Sequence, residues 1–67
     1  MNATELTVEL ARNKLSIPKA ANMIGIGKKA FYSKMKGESE FKQSEIRSLK
    51  RILNLSDERV SEIFFAD

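Results

Sequence analysis

Residues 17–37 read IPKAANMIGIGKKAFYSKMKG, and this stretch decides the fold. Pro18 lacks an N–H, which costs nothing in the first turn of a helix, so a helix starting at Ser16 or Ile17 accommodates it. That helix carries Ala20, Ala21 and Ile24 and stops at Gly25. Gly25-Ile26-Gly27 then turns sharply, because Gly25 takes a positive φ without steric penalty. A second helix runs from about Lys28 to Lys36 and ends at Gly37, a natural left-handed C′ residue. Small Ala21 leaves room where the two helices cross, while Ile24, Ile26 and Phe31 anchor them to a core. These offsets are those of a helix-turn-helix over about residues 17–37.

Outward from this centre the apolar residues keep helical spacing, and no segment alternates like a strand. An opening helix begins at Asn2 or Thr4, with Leu6 and Leu10 on one face. With Asn2 as N-cap, Glu5 falls at N3, the position a capping box requires. After a loop from Gly37 to Glu40, Phe41 and Ile46 form a hydrophobic staple with Glu45 at N3. They open a fourth helix that reaches about Asn54, with Ile46, Leu49, Ile52 and Leu53 as its stripe. Ser56 caps a fifth helix that has Asp57 and Glu58 in its first turn, where the macrodipole favours anions. Leu55 and Val60 staple it. The expected architecture is all-α, one compact five-helix domain spanning residues 1–67.

Charge is unevenly placed. Between Glu9 and Glu38 there is no acid, yet that interval holds seven bases: Arg12, Lys14, Lys19, Lys28, Lys29, Lys34 and Lys36. The remaining five bases share the rest of the chain with all nine acids, so a formal +3 averages +7 on one segment and −4 elsewhere. Clustered cations free of acids raise the local potential and point to a polyanion partner.

The third helix divides by angle. At about 100° per residue, Phe31 and Met35 share one side with Ala30 and Lys34 at its edge. Lys28, Lys29, Tyr32, Ser33 and Lys36 take the other. A helix lying in a DNA major groove reads bases mainly from its N-terminal residues, and lysine donates to guanine O6 and N7. Lys28 and Lys29 are therefore the expected base contacts. Tyr32 and Ser33 follow, for a thymine methyl, a base edge or a phosphate, and Lys36 meets a phosphate. Further phosphate contacts fall to Ser16, Ile17 and Lys19 at the start of the second helix, with Asn22 less favoured, and to Lys42 after the loop.

The stretches IPKAANMIGIGKKAFYSKMKG and EFKQSEIRSLKRILNLSDERVSEIFF (residues 40–65) resemble the lambda-repressor-like, Cro/C1-type helix-turn-helix family, specifically small phage or prophage regulators of Gram-positive bacteria. The resemblance covers nearly the whole chain. It implies a five-helix domain whose third helix enters the major groove, often as a dimer on a palindromic operator, in the cytoplasm of a bacterial host. Two residues depart from the family's pattern. Ile17 stands where a phosphate-contacting glutamine is usual, and Gly27 replaces the usual Ser or Thr cap of the recognition helix.

The expected function is a sequence-specific, double-stranded DNA-binding transcriptional regulator of repressor type. The alternative is a protein-interaction module that modulates a partner repressor instead of reading DNA. With no histidine, no cysteine and no carboxylate pair in a plausible pocket, there is little machinery for an enzyme, a metal site or a cofactor, and none is expected. The segment GIGKKA is not a phosphate loop: it has Asn22 where glycine is needed, Lys29 where Ser or Thr is needed, and no preceding strand. No apolar run approaches the roughly 18 residues of a membrane span. At the C-terminal end Val60, Ile63 and Phe64 share an inward face. Phe65, about 100° from Phe64, either closes the core against the first helix or joins Phe64 in a dimer interface. Arg47, Lys50, Arg51 and Arg59 alternate with acids and read as exposed helical charges.

Overall fold

Five helices form, each begun and ended by short-range chemistry. In the computed structural model, which describes residues 1–65, they are α1 (Ala3–Arg12), α2 (Ile17–Met23), α3 (Lys28–Lys36), α4 (Gln43–Ile52) and α5 (Asp57–Phe64). No strand occurs among the described residues. Ala66 and Asp67, the end of the expected domain, lie outside them. Ser16 Oγ accepts from Lys19 N–H at 3.2 Å and Ser56 Oγ from Arg59 N–H at 3.0 Å, so α2 and α5 start where a hydroxyl satisfies an otherwise orphan amide. Glu45 closes the first turn of α4 by accepting from Lys42 N–H at 2.8 Å.

The capping box expected at Asn2 is only half made. Asn2 Oδ1 accepts from Glu5 N–H, but Asn2 N–H donates to Ile63 O at 2.6 Å instead of to Glu5. The Glu5 carboxylate turns to Arg59 Nη2, also at 2.6 Å. Both substitutions tie α1 to α5, so a local cap has been exchanged for a tertiary link.

One device ends four of the five helices. The residue after each C-cap region takes positive φ at Lys14 (55°), Gly25 (81°), Gly37 (85°) and Asn54 (54°). The following N–H reaches back to a carbonyl five residues earlier: Leu15 to Leu10, Ile26 to Ala21, Glu38 to Ser33 and Leu55 to Lys50, all within 3.0 Å. This paired arrangement satisfies carbonyls the helix leaves open. Two of the four positions are not glycine, which is why α1 and α4 have less visible stops. α2 correspondingly ends at Met23 and α4 at Ile52, slightly earlier than their apolar patterns suggest.

The core gathers Leu6, Leu10, Ala20, Ala21, Phe31, Leu49 and Ile63, with Phe41, Leu53, Leu55 and Phe64 completing it. Ala20 and Ala21 are fully enclosed, and α2 and α3 make the most extensive helix pairing among the described residues. Phe41 joins two elements through edge-to-face contacts, 5.2 Å from Phe31 and 5.6 Å from Phe64 between ring centroids. Phe64 is thus a core residue. Of the two residues expected at a dimer interface, only Phe65 beside it is exposed.

Candidate functional site

The α2–turn–α3 unit places the cations. Phe31, with no exposed surface, fixes α3 to the core from one side, so the far side of the helix is fixed as the outer face. Lys28, Lys29, Tyr32 and Lys36 are exposed, and Ser33 is half-buried. None of the three lysines has an ion-pair partner among the described residues. Gly27, the N-cap of α3, makes no side-chain cap bond, unlike Ser16 and Ser56. The amides of the first turn of α3 therefore face outward without an internal acceptor, next to two ammonium groups.

Lys34 behaves differently from its neighbours. Its Nζ lies 2.6 Å from Glu45 Oε1, both side chains are almost covered, and the ammonium stands 5.9 Å from the Phe41 ring centroid. Burial pushes the Glu45 carboxyl up, but hydrogen bonds from Lys34 and from Lys42 N–H, with both lysine charges, more than offset it and hold the group below its ordinary 4.5. One of the seven interval cations is thus neutralised inside the fold. An acid distant in sequence reaches in to do it, and only the position of Lys34 at the edge of the buried face gives notice in the sequence.

The expected phosphate contacts are less uniform than the base contacts. Ser16 is exposed, but its hydroxyl is engaged as a cap and takes the amide of Lys19 with it. The Ile17 side chain packs against the core, which leaves only its backbone as a contact. Lys19 and Asn22 are exposed. Lys42 is exposed too, but its N–H is bound by Glu45, and the loop before it displays Glu38 and Glu40 to solvent. Two carboxylates beside Lys42 oppose a phosphate there, so this contact is the least favourable of the set.

Arg59 is not the exposed helical charge its spacing indicates. Its Nε donates to Glu9 Oε2 at 2.6 Å and its Nη2 to Glu5, with Glu62 at 3.5 Å from Nη1. Hydrogen bonds to Glu9 and then Glu5 hold the guanidinium firmly in its charged form. Arg12 also approaches Glu9, at 3.4 Å. The sequence signal was available in Glu5 and Glu9, one turn apart on α1, but the partner lies fifty residues on. Lys50 pairs with Asp57, while Arg47 and Arg51 are exposed as expected.

No protein-family model matches the chain, and no curated protein or solved structure is detectably similar to it. The chemistry has to be read from the surface itself. Among the described residues no cluster of three potential metal ligands occurs, and no helix is long and apolar enough to cross a membrane. The outer face of α3 offers ammonium donors, two hydroxyls and free amides: a set suited to binding oxygen acceptors and anions.

A second surface lies beside the C-terminal end of α3, where Lys34 and Gly37 border it. Phe65 is 62% exposed and Met1 is 42% exposed, and both border a cleft of about 350 Å³ whose floor includes Phe41 and Phe64.

Proposed function

We propose that this protein is a double-stranded DNA-binding transcriptional regulator of the Cro/C1 type, with a lambda-repressor-like fold, and that α3 enters the major groove. The observation that carries this reading is the division of α3. Phe31 is wholly buried, whereas Lys28, Lys29 and Lys36 stand exposed on the same helix, with no acid on it and no ion pair to them among the described residues. A fold that pairs Lys34, Arg59 and Lys50 internally has left these three open. Charges without an internal partner, on a helix held at its back by an aromatic anchor, fit a helix docked against phosphates and base edges.

In this reading Lys28, Lys29, Tyr32 and Ser33 face the bases. Lys36, Lys19 and Asn22 face the backbone, together with the start of α2 at Ser16 and Ile17. Lys42 contributes least. A second copy, if the operator is two-fold, would meet the first through Phe65, whose exposed ring sits beside a cleft large enough for a phenyl group. The competing reading, a module that binds a partner repressor, draws on the same Phe65 surface.

Electrophoretic shift of a random-sequence 20-base-pair duplex at low salt tests the proposal. Retardation that disappears at high salt is expected, since neutralised phosphates release counterions. Absence of any retardation at low salt would exclude the DNA reading and leave the partner-protein reading.

A further inference from the structure

Resting on the DNA reading, we infer that Lys29 is the residue that chooses the base, and that the base it chooses is guanine. Phe31 sets the reference direction because its side chain has no exposed surface. At 3.6 residues per turn, Lys29 projects about 160° from Phe31, almost directly away from the core. Lys28 lies only about 60° from Phe31, and Tyr32 about 100°, so both point to the flanks of the docked face. Lys36 shares the direction of Lys29 but sits two turns further along, where a helix inserted by its N-terminal end has already met the backbone.

The chemistry of that direction is restricted. The outer stripe of α3 contains Lys29, Ser33 and Lys36, and on the entire exposed face there is no carboxylate and no amide side chain. A carboxylate would accept from cytosine N4, and an Asn or Gln would pair with adenine N6 and N7; neither is present. Ser33 is half-buried, which limits its reach. Lys34, one turn further along, is held by Glu45. An ammonium at the centre of the face can only donate, and guanine offers two adjacent major-groove acceptors, O6 and N7. Adenine opposes the same ammonium with its N6 donor. Gly27 sharpens the effect: with no side chain beside the first turn, nothing from the cap competes with Lys29 for the base edge.

Selection of bound duplexes from a randomised pool, with wild type, Lys29→Gln and Lys28→Ala, tests this. The wild-type consensus is expected to contain a guanine whose replacement by adenine weakens binding about five- to 150-fold, the range for one good base contact. Lys29→Gln is expected to move that position from guanine to adenine. Lys28→Ala is expected to lower affinity and to leave the guanine at that one position in place, whatever it does to the preference at neighbouring positions. A consensus unaltered by Lys29→Gln, or one without guanine, overturns the inference while leaving the DNA reading intact. Failure of the wild type to bind any duplex at low salt overturns both. Thermal melts of the three proteins, expected to coincide because both lysines are exposed, exclude misfolding as the cause of an altered consensus.

Discussion

The outer face of α3 and the seam between α1 and α5 both carry charged side chains and treat them in opposite ways. In the seam, Arg59 reaches Glu5, Glu9 and Glu62, and the Asn2 amide is taken by Ile63. On α3, Lys28, Lys29 and Lys36 have no ion-pair partner among the described residues, and the helix start has no side-chain cap. A domain near the lower size limit for independent folding has little stability to spare, so charges it satisfies internally serve the fold. Those it leaves open are available to something outside. The contrast separates cations that the sequence presents as alike.

The largest effect expected from disturbing this division comes at its hinge. Phe31→Ala removes the anchor that holds α3, and is expected to cost about 3–5 kcal/mol, enough to unfold most of the molecule. A thermal melt followed by circular dichroism reads this directly, and a stable folded Phe31→Ala protein would mean that α3 is held by other contacts.

The next effect concerns the one cation that crosses from the open helix to the closed interior. Glu45→Gln deprives buried Lys34 of its counter-charge and is expected to cost about 1–3 kcal/mol at neutral pH. The folded Glu45 carboxyl titrates below its ordinary 4.5, so its contribution is complete above that value. It is lost as pH falls from 4.5 through the folded value. Wild type and variant are therefore expected to converge in stability under acid, measured by urea unfolding at pH 7 and at successive steps below pH 4.5. A gap that persists at low pH would show that the carboxylate charge is not what stabilises this pair.

The smallest effect is a gain. Lys14 holds a left-handed conformation that costs an L-residue about 1–2 kcal/mol, and glycine adopts it freely. Lys14→Gly is expected to raise stability by about 1 kcal/mol. Asn54→Gly is expected to give less, since asparagine tolerates that region better. Chemical denaturation of both variants checks the order. A loss of stability in Lys14→Gly would show that its side chain packs more than its exposure suggests.

These particulars also show how much was legible. Ser16, Gly37, Glu45 and Ser56 mark helix ends by local chemistry, so the elements they bound follow from the sequence with boundaries within a residue or two. The core assignment of Phe31 and Ala21 followed from spacing alone. Lys14 is not legible as a helix stop, because nothing in a lysine announces a positive φ, whereas the expected end of the fourth helix, about Asn54, lies two residues beyond its actual end at Ile52. The second half of the Asn2 capping box failed for a different reason: Ile63 offered the amide a better acceptor from across the molecule. The Lys34–Glu45 and Arg59–Glu9 pairs likewise depend on tertiary approach, and without them the seven-cation interval looks like one patch. The open face of α3 was legible because exposure on a helix follows from angle once the buried residue is known.

The affinity for a random-sequence duplex as a function of salt, for wild type and for the Lys28→Ala/Lys29→Ala/Lys36→Ala variant, tests the assignment of this face most directly. The wild type is expected to show a steep linear fall of log affinity with log salt. The triple variant is expected to bind more weakly, with the slope shallower by about 0.9 for each phosphate contact removed, and with an unchanged thermal melt. Equal affinity and equal slope in the two proteins would contradict the assignment of the outer face of α3 to DNA.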